Sequence, residues 1–180
     1  MNKKVLLGLA AGTLAMGGLL LGKRLDTTRV EDLNPEETKK LVESYDQSSL
    51  TKTETVFIDS QKLTVVNQKN KTKEYTLPKD EFFVSIAPYY QMTHPCSIHY
   101  LSSCYSELGN QPFEVVIKNK QGEILVDETL VSQENGFIDL WVPRNQEYTI
   151  QITHNGSQVE TTFSTFNQDD TCITTPLQLT

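Results

Sequence analysis

The sequence predicts an α+β fold that is mostly β: an N-terminal helix with a small antiparallel sheet, then a C-terminal Ig-like antiparallel β-sandwich. Three observations predict it. A helix-start signature stands at residues 34–37, β-rich residues alternate with period two from residue 54 onward, and turn residues break that alternation at short intervals. With 37% apolar and 22% charged residues in 180, the composition is that of a globular chain.

Residues 1–24 stand apart. Lys3 and Lys4 precede an uncharged run over 5–22, closed by Lys23 and Arg24. A basic start before an apolar stretch is an export signal or a membrane anchor. As a helix the run would extend about 27 Å, close to a bilayer core. Ala15-Met16-Gly17 offers a small-residue cleavage site, but Leu19-Leu20-Leu21 is an unusual start for a mature chain. Anchor and signal peptide both stay open; basic residues flank both sides, so charge asymmetry alone does not fix an anchor's orientation, and the remainder is read as exported. Four of the 16 basic residues and none of the 23 acidic ones lie in this segment, so the exported part has 12 basic against 23 acidic residues, a charge of −11. That surface repels phosphate backbones and excludes nucleic acid as a partner, while tolerating metal cations.

Residues 25–33 read as a tether. Asn34 then supplies an N-cap, Pro35 suits the first helical position, and Glu36 and Glu37 favour the positive end of the helix dipole. Leu33, Leu41, Val42 and Tyr45 form an apolar stripe, and Ser48-Ser49 ends the helix. Strands are predicted over 55–59, 62–67, 74–77 and 82–86, with a polar loop over 67–73; helix and sheet make a first unit over 34–90. A second series is predicted over 113–118, 123–127, 137–142, 147–153, 157–163 and 172–177, giving a sandwich over 111–180. Asn155-Gly156 is its strongest turn signal, because both positions accept positive φ.

Between the units, residues 91–110 hold Cys96, Cys104, His94 and His99; the third cysteine, Cys172, lies near the end. Three is an odd number for an exported chain, so at least one thiol has no partner within it. On one straight helix the Cα atoms of Cys96 and Cys104 would stand about 12 Å apart, whereas a disulfide needs about 4.4–6.8 Å. The segment must bend if the two act together, and Ser102-Ser103 is a candidate place. Pro95 also disfavours helix at His94. A bent segment serves a disulfide or a metal equally well. Thiolate and imidazole donors match copper(I) or zinc; the paired Cys-x-x-Cys spacing of structural zinc sites is missing, and a trigonal thiolate or thiolate–imidazole site suits copper(I).

The segment His94-Pro95-Cys96-Ser97-Ile98-His99-Tyr100-Leu101-Ser102-Ser103-Cys104, with Glu107-Leu108-Gly109 after it, resembles the signature of the CueP family of extracytoplasmic copper-binding proteins. Ser85-Ile86-Ala87-Pro88-Tyr89, Asn135-Gly136-Phe137, Leu140-Trp141-Val142-Pro143-Arg144 and Asp169-Asp170-Thr171-Cys172-Ile173-Thr174-Thr175 extend the likeness over about residues 35–178. The resemblance implies a protein of the bacterial periplasm or outer cell surface that contributes to copper tolerance. It implies that Cys96, Cys104 and Cys172 hold copper and can reduce copper(II) to copper(I), with His99 and also His94 as candidate ligands. It further implies copper delivery to a superoxide dismutase and a homodimer formed through residues 30–90. The family is best known as soluble periplasmic proteins, so an anchor here would be a departure pointing to a Gram-positive type of envelope.

Other classes compete. The second half also looks like the small CnaB-like sandwiches of Gram-positive adhesins, which would make the chain a structural surface module with a Cys96–Cys104 disulfide and no metal. An internal isopeptide bond would then fall to Lys118. A thiol–disulfide oxidoreductase would need a Cys-x-x-Cys in a βαβ pattern, which is missing. Nothing resembles a hydrolase triad or a phosphate loop. Tyr89, Tyr90, Tyr100 and Tyr105 read as packing residues with wet hydroxyls, and Trp141 as a core residue.

Overall fold

The structure, a computed structural model, describes residues 29–47 and 53–180. The predicted anchor or signal over 1–24 and the helix stop at Ser48-Ser49 lie outside the described residues. Among the described residues no helix is long and apolar enough to cross a membrane.

The chain begins with β1 (Arg29–Glu31) and α1 (Pro35–Gln47). The start of α1 is a reciprocal cap: the Glu37 N–H donates to Asn34 Oδ1 at 2.9 Å, and the Asn34 N–H donates to Glu37 Oε2 at 3.1 Å. The helix buries Thr38, Val42 and Asp46, spaced four apart on one face, so its inward stripe ends on a carboxylate. β2 (Thr55–Ile58), β3 (Lys62–Val66) and β4 (Thr72–Thr76) follow, in the sheet order β1-β4-β3-β2. β1 falls within the predicted tether; three residues are too few to show a period, and its parallel pairing to β4 is visible only in the fold.

β5 (Glu81–Ile86) was grouped by sequence with this first sheet. It lies instead in a second one, β11-β5-β8, with β8 (Ile138–Pro143) antiparallel to it and β11 (Cys172–Ile173) parallel to it. The alternation of β5 explains the move. Phe82, Val84 and Ile86 join the sandwich core on one face, while Phe83 packs on the other with Val42, Val56, Ile58 and Leu63 of the first unit. Both faces are buried, so β5 lacks the polar face that would mark an outer strand. The third sheet is β10-β9-β6-β7, built from β6 (Pro112–Asn119), β7 (Ile124–Val131), β9 (Glu147–His154) and β10 (Ser157–Ser164). It supplies Phe113, Val115, Ile117, Tyr148, Ile150 and Ile152 to the core opposite β5. The sequence prediction of a mostly-β α+β fold with a C-terminal sandwich therefore holds. The Asn155-Gly156 turn joins β9 to β10 with φ of 50° and 84°, the left-handed pair expected of a tight hairpin.

The aromatic expectations divide. Trp141 is half-buried, edge-on to Phe83 at 5.3 Å, with Lys39 Nζ 5.7 Å over its ring. Tyr89 is buried, but Tyr100 and Tyr105 are exposed, because segment 91–110 contains no strand of its own for them to pack along.

Candidate metal centre

Segment 91–110 is held as an irregular loop by bonds to its ends. The Glu107 carboxylate accepts the N–H groups of Gln91 at 3.0 Å, Met92 at 3.2 Å, and Tyr90. Burial alone would raise this carboxyl; the three N–H donors outweigh it and hold Glu107 below the usual range. The bend that the cysteine spacing requires is present. The N–H groups of Ser103 and Cys104 both donate to the Tyr100 carbonyl, at 3.0 and 2.8 Å, which folds Cys104 back toward Cys96.

Thr171 then fastens the loop to the sheets. Its N–H donates to the Ser97 carbonyl, its hydroxyl donates to the Ile58 carbonyl, and its carbonyl accepts the Ser85 N–H, at 2.9, 2.6 and 2.8 Å. The Thr174 hydroxyl donates to the His94 carbonyl at 2.6 Å. In this way β11 lands between the loop and β5, carrying Cys172 with it.

The result is a cluster of the sequence-predicted residues. The donor atoms of His94, Cys96 and Cys104 lie within 4.8 Å of one another, and so do those of His99, Cys104 and Cys172. Cys96 and Cys172 are joined as a disulfide with Cα atoms 5.4 Å apart, while Cys104 is free, its sulfur 3.8 Å from that of Cys96. The Cys96–Cys104 bridge of the surface-module alternative is thus corrected. β11 sets Cys172 beside Cys96, a neighbour that local spacing cannot reveal. Lys118, the other support of that alternative, lies exposed on β6 rather than inside the sandwich.

His94 is exposed and His99 completely buried. The His99 ring packs on Phe137 with centroids 4.7 Å apart. Its Nε2 faces Ser85 Oγ at 3.4 Å and Asp46 Oδ1 at 3.8 Å, whereas its Nδ1 has no hydrogen-bond partner. Burial alone pulls an imidazole down; Asp46, the nearby Cys104 sulfur and Asp139 outweigh it and raise His99 to about 9. Asp139 is itself pushed up by burial, to about 7, against the pull of His99. Asp139 Oδ1 accepts the Ser85 hydroxyl at 2.5 Å, and Asp46 Oδ1 accepts the Asn135 amide at 3.1 Å.

Sequence reasoning missed this carboxylate side. An acid on the apolar stripe of α1 was a usable signal for Asp46; Asp139, inside a strand, gave none. A sulfur-rich donor set beside a buried, unpartnered imidazole nitrogen fits copper(I), and a carboxylate behind the imidazole is how proteins orient a metal-binding histidine.

A family model described as periplasmic copper-binding protein CueP matches residues 40–178. The chain belongs to the CueP family. Among solved structures, the crystal structure of S.CueP is similar at 33% identity with a TM-score of 0.74, over 79% of this chain and 88% of that one. No curated protein matches the chain. The family is periplasmic and copper-binding, so copper is the metal and the predicted resemblance is upheld.

Proposed function

We propose that the chain holds copper(I) on the sulfurs of Cys96, Cys104 and Cys172, with His99 as a further donor and His94 at the entrance. The observation that carries this reading is the clustering of three cysteine sulfurs, two of them, Cys104 and Cys172, with their donor atoms within 4.8 Å of the buried His99 imidazole. A groove of about 410 Å³ lined by His94, Pro95, Cys96, Ile98, Tyr100 and Cys104 offers a path inward for the ion.

The same thiols can act as the reductant. Two thiols that lose two protons and two electrons become a disulfide, and those electrons convert two copper(II) ions to copper(I) in turn. The Cys96–Cys172 bond is the product such a reaction would leave. Oxidation also removes two ligands, which couples redox state to release. On this reading the chain contributes to copper tolerance and passes copper to an acceptor such as a superoxide dismutase. It works at the cell envelope, by anchoring through residues 5–22 or after removal of a signal, and residues 30–90 form its homodimer surface.

The test is a thiol count on reduced protein before and after copper(II), with a copper(I) chelator present. The expected result is loss of two thiols and capture of two copper(I) ions per chain. Unchanged thiols with no copper(I) captured would remove the reductase role. Unchanged copper(I) affinity in Cys172→Ser would remove that residue from the site.

A further inference from the structure

The free sulfur of Cys104 lies beside a disulfide it does not belong to. We propose that Cys104 exchanges into that bond, so that the bridge migrates between Cys96–Cys172 and Cys96–Cys104. The inference rests on the reading of the three cysteines as one redox site, and assigns Cys104 a role that metal binding alone does not require.

In the step, the Cys104 thiolate attacks Cys96 Sγ. The Cys104–Cys96 bond forms, the Cys96–Cys172 bond breaks, and its electron pair leaves on Cys172 Sγ, which takes up the proton that Cys104 gave up. No net oxidation occurs and no other reactant is needed. The sulfurs are close, and rotation of the Cys104 side chain must also swing its sulfur into line behind the Cys96–Cys172 bond, because it lies within 4.8 Å of the Cys172 sulfur as well. The Cys104 and Cys96 sulfurs are 3.8 Å apart and must close to about 2.05 Å. A shift of that size is within reach of side-chain rotation at two residues on a loop with no strand or helix. The Tyr100 N–H donates to Cys104 Sγ at 3.3 Å, which holds the attacking sulfur in place.

Exposure gives the exchange a purpose. Cys172 is 1% exposed, while Cys96 and Cys104 are half-buried and both line the groove beside His94. The other approach to Cys172, a depression bordered by Thr162, Ser164, Asp169 and Asp170, sets two carboxylates beside any thiolate that enters. Migration therefore carries the bond from a pair with one sulfur on the groove, Cys96, to a pair with both sulfurs there. It also returns Cys172 to the thiol state next to His99.

The experiment uses metal-free oxidised protein held at mildly alkaline pH, quenched in acid, digested with pepsin and mapped by mass spectrometry. Both the Cys96–Cys172 and Cys96–Cys104 linkages are expected, with the free thiol on Cys104 in the first and Cys172 in the second. Recovery of Cys96–Cys172 alone at every time overturns the proposal. As a second arm, Cys172→Ser treated with oxidised glutathione should close a Cys96–Cys104 bridge and release both glutathiones; a stable mixed disulfide with no internal bond would count against it. Copper is absent throughout, so failure here leaves the copper reading standing, and failure of copper binding leaves the exchange standing.

Discussion

The outer and middle sheets differ in how the chain reaches them. In the sheet β10-β9-β6-β7, the outer one, β6–β7 and β9–β10 are hairpins closed by short turns, and the two central strands β6 and β9 alternate between core and solvent. In the middle sheet, β5, β8 and β11 come from residues 81–86, 138–143 and 172–173, so each pairing joins segments far apart in the sequence. The middle sheet carries Ser85, Asp139 and Cys172. The outer one is a scaffold of two local hairpins joined by the β6–β9 pairing, and the site is built where segments still farther apart close, a step that costs more chain entropy.

Two phenylalanines of equal burial separate the roles most sharply. Phe113 belongs to the outer sheet, and Phe137 packs on His99 beside Cys172. Each change to Ala should lower stability by about 3–5 kcal/mol in denaturant unfolding. Only Phe137→Ala should also weaken copper(I) binding in chelator competition. Equal copper affinities in the two variants would mean that the site does not depend on the packing around His99.

The buried charges give the next effect. In the metal-free folded chain, Asp139 and His99 both hold their protons more tightly than when unfolded. The folded state then binds more protons, so stability falls as pH rises, from about 4 through about 7 and on to about 9. The loss should reach a few kcal/mol, and Asp139→Asn should flatten its lower part. Stability that rises across this window would contradict the buried acid–imidazole cluster.

Glycines supply the smallest contrast. Gly136 and Gly156 have nearly the same φ, 86° and 84°. A Cβ on Gly156 meets nothing within 4 Å, so Gly156→Ala should cost only the conformational penalty, about 1–2 kcal/mol. A Cβ on Gly136 would sit 2.7 Å from the Ser106 carbonyl oxygen, which adds a clash; Gly136→Ala should cost about 2–4 kcal/mol. Similar melting temperatures for the two would show that the loop near the site yields easily.

What could be read from sequence follows the same division. Asn34-Pro35 with Glu37 marked the helix start and Asn155-Gly156 marked the hairpin, because caps and turns are written in adjacent residues. The three cysteines and two histidines stood out by residue type, and the spacing of Cys96 and Cys104 required a bend that the Tyr100 turn provides. The disulfide partner of Cys96 was not legible, since it depends on β11 pairing in parallel with β5, whose register partners lie 87 residues earlier. Asp139 was hidden inside a strand and Asp46 showed only as an acid on the apolar stripe of α1; their meeting at His99 is a property of the closed fold.

X-ray absorption of the reduced, copper(I)-loaded chain tests the three-sulfur site most directly. The wild type should give a shell dominated by sulfur at about 2.3 Å, and Cys172→Ser should lose one sulfur from it. A shell made only of nitrogen and oxygen, or one that Cys172→Ser leaves unchanged, would contradict a site built from both the loop and the last strand.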